Sequence, residues 1–131
     1  MFAVWLSGIE DRPERSGEIC VAEIFGDAVR EGFADVRMGV HQFRDPALDE
    51  EFSTLPLPID VSALHTYGVD WRPGSLTFSV DSEVVRRIEQ APTYPVQLML
   101  GVFDVPAKAE AGGDVPVPEL VVSHVRGRPL A

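Results

Sequence analysis

Residues 16–26 read SGEICVAEIFG. The segment is apolar enough for a buried strand, yet it keeps two glutamates, Glu18 and Glu23, five positions apart with Cys20 between them. Alternate residues of a strand share a face. A regular strand would set Glu18, Cys20 and Ala22 on one face and Ile19, Val21 and Glu23 on the other. One extra residue, a β-bulge, shifts the phase and returns Glu23 to the face of Glu18 and Cys20. Two readings follow from the spacing: separate surface charges, or two carboxylates on one sheet face.

The chain has 131 residues, the size of one domain, so residues 1–131 are read as a single unit. Apolar residues make up 45%, enough for a core. A net charge of −10 excludes nucleic acid and anionic membrane surfaces as partners, because both require clustered cations. Cys20 is the one cysteine, so neither an intrachain disulfide nor a thiolate cluster is expected. No apolar run is long enough to span a membrane as a helix. The opening, MFAVWLSGIEDRPERSGE, has no basic n-region and reads as no signal peptide; a secretion signal would lie upstream. It enters a strand-like run at once, whereas domains usually begin with polar, frayed residues. The expectation is that Met1 is an internal methionine.

Short β-rich runs dominate: Phe2 to Leu6, Glu18 to Phe25, Val36 to Phe43, His65 to Trp71, Ser75 to Val80, Glu83 to Glu89, Gln97 to Val102 and Glu119 to Val125. Their spacing predicts an all-β antiparallel sandwich or barrel with little helix. Pro73-Gly74 and Asp81-Ser82 are turn dipeptides that fold His65 to Glu89 into a three-stranded meander. DPALDEEFSTLPLP, residues 45–58, is acidic and proline-rich and reads as a surface loop, as does Pro106 to Pro118.

Paired carboxylates on one face suit glycoside hydrolysis, where one attacks and the other moves protons. SGEICVAEIFG resembles the active-site strand of glycoside hydrolase family 16, the laminarinase- and lichenase-type β-glucanases, whose pattern is Ser-Gly-Glu-Ile-Asp-x-x-Glu. FAVWLSG is similar to the family's preceding strand and MGVHQF to the following one. LHTYGVDWRPGSLTFSVDSEVVRRIEQ resembles its hairpins, YPVQLMLGVFDVP the next strand and PELVVSHVRG the closing one. The resemblance implies a concanavalin A-like β-jelly-roll sandwich with a sugar cleft. It implies Glu18 as nucleophile, Glu23 as acid/base, Trp5 stacked on a sugar and His41 beside the carboxylates. Family domains are about twice as long, so the resemblance implies a domain lacking its N-terminal strands.

Cys20 departs from the pattern, standing where the family has an aspartate that tunes its two neighbours. A neutral thiol does not tune them in that way; on its own terms Cys20 reads as a small buried hydrophobe. His41, His65 and His124 lack the spacings of zinc sites, no family calcium ligands are matched, and no metal or cofactor is expected. His65 reads as structural and His124 as exposed. Tyr67 and Trp71 read as core, Arg86 and Arg87 as a solvated pair, and Asp104 as a turn cap or sugar contact. The leading function is retaining hydrolysis of a β-glucan-type polysaccharide, or transfer to a sugar acceptor. The alternatives are a carbohydrate-binding jelly roll with impaired catalysis and a non-functional fragment.

Overall fold

The computed structural model of the protein describes residues 1–105 and 118–129. Its strands are β1 (Phe2–Gly8), β2 (Glu18–Ile24), β3 (Val29–Arg30), β4 (Phe33–His41), β5 (Glu51–Leu57), β6 (Tyr67–Arg72), β7 (Ser75–Val80), β8 (Glu83–Ile88) and β9 (Val96–Val102). Two short 3₁₀ turns, Pro13–Arg15 and Gly26–Ala28, are the only helical elements among the described residues. All pairings are antiparallel. The larger sheet runs β3-β4-β2-β1-β9, with β5 on the other side of β4; the smaller runs β6-β7-β8.

Alternation makes the core. β2 and β4 turn Ile19, Ala22, Ile24, Val36, Met38 and Val40 inward, against Leu76, Phe78, Val80 and Ile88 of the smaller sheet. Phe78 is fully buried, and burying a side chain of that size is worth roughly 1.5–3 kcal/mol. Tyr67, Val69 and Trp71 pack against this cluster as read, and the indole N–H of Trp71 donates to the Pro92 carbonyl at 3.0 Å. On β9 the residues facing the same way, Leu98, Leu100 and Val102, stay 41–43% exposed.

The meander forms as expected. Gly74 takes φ +77°, while Asp81 and Ser82 take +50° and +71°, the two left-handed central residues of a type I′ hairpin turn. Asp81 can hold that conformation because its carboxylate is fixed on both oxygens. Oδ1 accepts the Thr66 N–H at 2.8 Å and Oδ2 meets His65 Nδ1 at 2.7 Å.

Three expectations are corrected. Residues 45–58 are not all loop, since Glu51–Leu57 form edge strand β5 along β4. Pro56 had argued against a strand, but an edge strand tolerates a proline whose missing N–H faces the free edge. Glu119 to Val125 form no strand, and Val121, Val122 and Val125 are exposed. β-propensity makes a strand only where a ladder partner is within reach. Arg86 is not solvated: its guanidinium faces the larger sheet and donates to the Met38 carbonyl at 2.7 Å, the Glu51 carbonyl at 3.1 Å and the Ser53 hydroxyl. Apart from Pro118, the loop expected over Pro106 to Pro118 lies outside the described residues.

Two outcomes follow. Arg86→Ala strips charged donors from carbonyls between the sheets and should cost about 2–3 kcal/mol in urea unfolding; a change near zero would show that the bridge is idle. His65 is raised above its usual 6.5, chiefly by Asp81 and then by the Asp60 carbonyl on Nε2. Its stabilisation is full below pH 6.5 and fades as pH rises through the raised value. The parent should therefore lose melting temperature across that window, and His65→Gln should flatten the decline.

Candidate active site

β2 carries the bulge. Against β1, Val4 pairs with Ala22 but Trp5 with Cys20. Against β4, Arg37 pairs with Glu23 but Gly39 with Cys20. Val21 is the extra residue in both ladders, and the phase of β2 reverses across it. Ile19, Ala22 and Ile24 consequently all reach the core, while Glu18, Cys20 and Glu23 share the opposite face.

Pairing across the sheet sets three rows on that face. Ser7, Glu18 and His41 form the first. Trp5, Cys20, Gly39 and Phe52 form the second, and Ala3, Glu23, Arg37 and Thr54 the third. A cavity of about 100 Å³ lies over the β1 and β2 part of these rows, walled by Ala3, Trp5, Glu18, Cys20, Glu23 and Phe103. Gly39 keeps the floor low by necessity. It takes φ +142°, and a Cβ there would sit 2.1 Å from the Glu51 carbonyl oxygen.

The residues entering β2 explain the Ser-Gly that precedes Glu18. Ser16 is 1% exposed; its hydroxyl donates to the Pro13 carbonyl at 2.8 Å and accepts the Arg44 N–H at 2.9 Å. The Gly17 N–H donates to the Tyr94 hydroxyl at 2.8 Å, which donates in turn to buried Asp45 at 2.7 Å. A side chain at Gly17 would collide with that hydroxyl and with Leu48. The end of β2 that carries Glu18 is thus tied to the loop after β4 and to the segment before β9.

The two carboxylates sit in unlike surroundings. Burial is the main cause that raises Glu18 above the ordinary 4.5; His41 opposes the rise, and the charges of Glu23, Glu10 and Glu50 add to it. Glu23 is in an ion pair with Arg37 at 2.5 Å. The Arg37 guanidinium lies over Phe52 at 4.7 Å and Phe25 at 5.4 Å. Cys20 is buried, and burial pushes its thiol up to about 12, so it brings no charge. His41 Nδ1 meets Glu50 at 2.6 Å, and its ring centroid is 4.1 Å from that of Phe52. Trp5 lies 5.8 Å from Phe103.

The structure therefore gathers Trp5, Glu18, Cys20, Glu23 and His41 on one face. Asp104 is exposed beyond β9, and His65 belongs to the hairpin of the smaller sheet. Arg37, Phe52, Phe103, Tyr94 and Asp45 were missed. Arg37 was legible, since it alternates with Gly39 and His41; Phe52 was lost with the strand that carries it.

A profile of the glycosyl hydrolases family 16 matches residues 1–118. The chain belongs to glycosyl hydrolase family 16. Among solved structures it is similar to a GlcNAcα1-4Gal-releasing endo-β-galactosidase from Clostridium perfringens, with TM-score 0.63 and 22% identity. That alignment covers 76% of this chain and 26% of that one, so the chain spans about a quarter of the solved protein's length. No curated protein matches. The two antiparallel sheets are accordingly those of a concanavalin A-like jelly roll.

Glu18 tests its own surroundings. A carboxyl raised by burial favours the fold while protonated and opposes it once ionised. That contribution is present below pH 4.5 and is lost as pH rises through the raised value. Glu18→Gln should melt above the parent at pH 7, with the gap closing by pH 4. An equal gap at both values would show that burial of the charge is not the cause.

Proposed function

We propose that this chain carries the reacting strand of a retaining glycosidase that cleaves β-linked polysaccharide, with a β-glucan as the expected substrate. Membership of the family supports glycoside hydrolysis in general. The observation that carries the finer reading is the Val21 bulge, which sets Glu18 and Glu23 on one open face with Trp5 beside them.

In this reading the Glu18 carboxylate attacks the anomeric carbon as the glycosidic C–O bond breaks, and Glu23 gives its proton to the departing oxygen. Glu23, now a carboxylate, takes a proton from water. The hydroxide so formed attacks the same carbon, breaks the ester to Glu18 and leaves the product with retained configuration. The Arg37 guanidinium fixes the position of the Glu23 carboxylate beside the cleft. Trp5 offers a ring for a sugar in the cleft.

Cys20 supports a second reading, a carbohydrate-binding jelly roll with weakened catalysis. The family's aspartate would put a like charge between the glutamates, and a thiol pushed up to about 12 does not.

Glu18→Gln should abolish turnover of a β-glucan, since an amide forms no glycosyl ester. Glu23→Gln should spare aryl glycosides while losing about 10²–10⁴-fold on the polysaccharide. Cys20→Asp should raise the polysaccharide rate. Equal rates for the parent and Glu18→Gln would remove Glu18 from the mechanism. Binding of glucan without cleavage by any variant, Cys20→Asp included, would favour the binding reading.

A further inference from the structure

Phe43 is 61% exposed and sits where a phenylalanine is out of place. It takes φ +46° inside the turn Gln42 to Asp45, closed by the Asp45 N–H on the Gln42 carbonyl at 3.0 Å. Left-handed turn positions are usually filled by glycine, asparagine or aspartate, and a bulky residue there is strained. Backbone strain of this kind persists only where the surroundings impose it. They do so on both sides. The Gln42 N–H is held by Glu50 at 2.9 Å, and the Arg44 N–H by buried Ser16 at 2.9 Å. The next residue, Asp45, is itself 1% exposed. The turn is rigid, and it presents an apolar ring to water.

That ring stands next to His41. Its centroid is 5.4 Å from His41, which pairs in register with Glu18. Phe52 backs His41 at 4.1 Å but is covered by Arg37, so it offers less open ring than Phe43. Trp5 and Phe103 lie on the other side of β2. The reacting strand thus has aromatic surface on both flanks. From β1 to β4 is two strand spacings, roughly 10 Å, room for about two sugar rings.

We propose that Phe43 is a stacking platform for the apolar face of a neutral pyranose, defining a subsite on the β4 side of Glu18. Its place as a subsite rests on the reading of Glu18 and Glu23 as reacting groups, whereas the stacking itself is measured as binding. A neutral sugar is specified because Arg44, the cation that follows Phe43, is paired with Glu10, and Glu50 adds a further negative charge on the same rim.

The test titrates the full chain with a β-1,3-linked glucohexaose and a β-1,4-linked galactohexaose, followed by calorimetry and tryptophan fluorescence. At least one should bind. Phe43→Ala should weaken it about tenfold, and Phe43→Trp should hold it within about twofold. Phe43→Gly relieves the left-handed strain, so it should melt no lower than the parent yet bind like the alanine variant. Parent-like affinity in Phe43→Ala or Phe43→Gly, or no binding of either hexasaccharide to the parent, overturns the proposal. Glu18→Gln separates the two readings: it should keep the Phe43-dependent binding. If that binding holds while Glu18→Gln turns over substrate normally, the catalytic reading fails and the stacking site stands.

Discussion

One extra residue in β2 decides which side chains meet water. Glu18 to Ile24 joins two amphipathic half-strands whose phases disagree, and Val21 is where they meet. Without it, Glu23 would turn into the core and Ile24 out of it. An unpaired carboxylate there costs several kcal/mol or forces its own protonation. The bulge therefore satisfies both sheet faces at once: Ile19, Ala22 and Ile24 line the core, and Glu18, Cys20 and Glu23 share the cleft. Hydrophobic sorting and the site's geometry are one constraint here, because the same register shift serves both.

This is why so much was legible in residues 16–26. A phase break in an apolar run is a local signal, and so are Pro73-Gly74 and Asp81-Ser82, whose backbones take the left-handed angles their turns require. What was not legible is non-local. β5 exists because β4 offers it an edge, and nothing within DPALDEEFSTLPLP states that. Arg86 reads as a surface residue until Met38 and Glu51 supply carbonyls across the sandwich. Tyr94 and Asp45 were passed over because their importance lies in holding Gly17, 77 and 28 positions earlier in the chain. Phe43 carried a local signal, an aromatic before Arg44-Asp45-Pro46, but its strain appears only in the backbone angle.

Charge on the cleft face is distributed unevenly. Glu18 is set apart by burial, with His41 as its neighbour, while Glu23 is held by a guanidinium. The two carboxylates are thus distinguished by their neighbours and not by their place on the sheet, since both stand on the same face of β2. The central position adds nothing to this, since Cys20 is neutral. It contributes shape instead. Cys20 and Gly39 lie side by side in the middle row, and both are small. The floor is therefore lowest between Trp5 and Phe52, with Glu18 and Glu23 above and below it.

A protein that served stability alone would not be built this way. Glu18 opposes the fold whenever it is ionised, Phe43 strains its turn and wets an apolar ring, and Gly39 is confined to a backbone angle where side chains rarely fit. These three costs fall on β2, on β4 and on the turn that follows β4, and the opposite face of β2 and β4 is an ordinary close-packed core. Networks beneath the cleft offset them: Ser16, Gly17, Tyr94 and Asp45 fix the start of β2, and Glu50 fixes His41 and Gln42 together. Strain gathered at one place and supported from below is the pattern expected of a surface selected for binding. The rigidity of that support matters as much as the residues on show. An aromatic ring and a carboxylate that wandered by an ångström would contribute little, and here the turn of Phe43 is held by buried Ser16 while the next residue, Gly17, is held by Tyr94 and buried Asp45 just before Glu18.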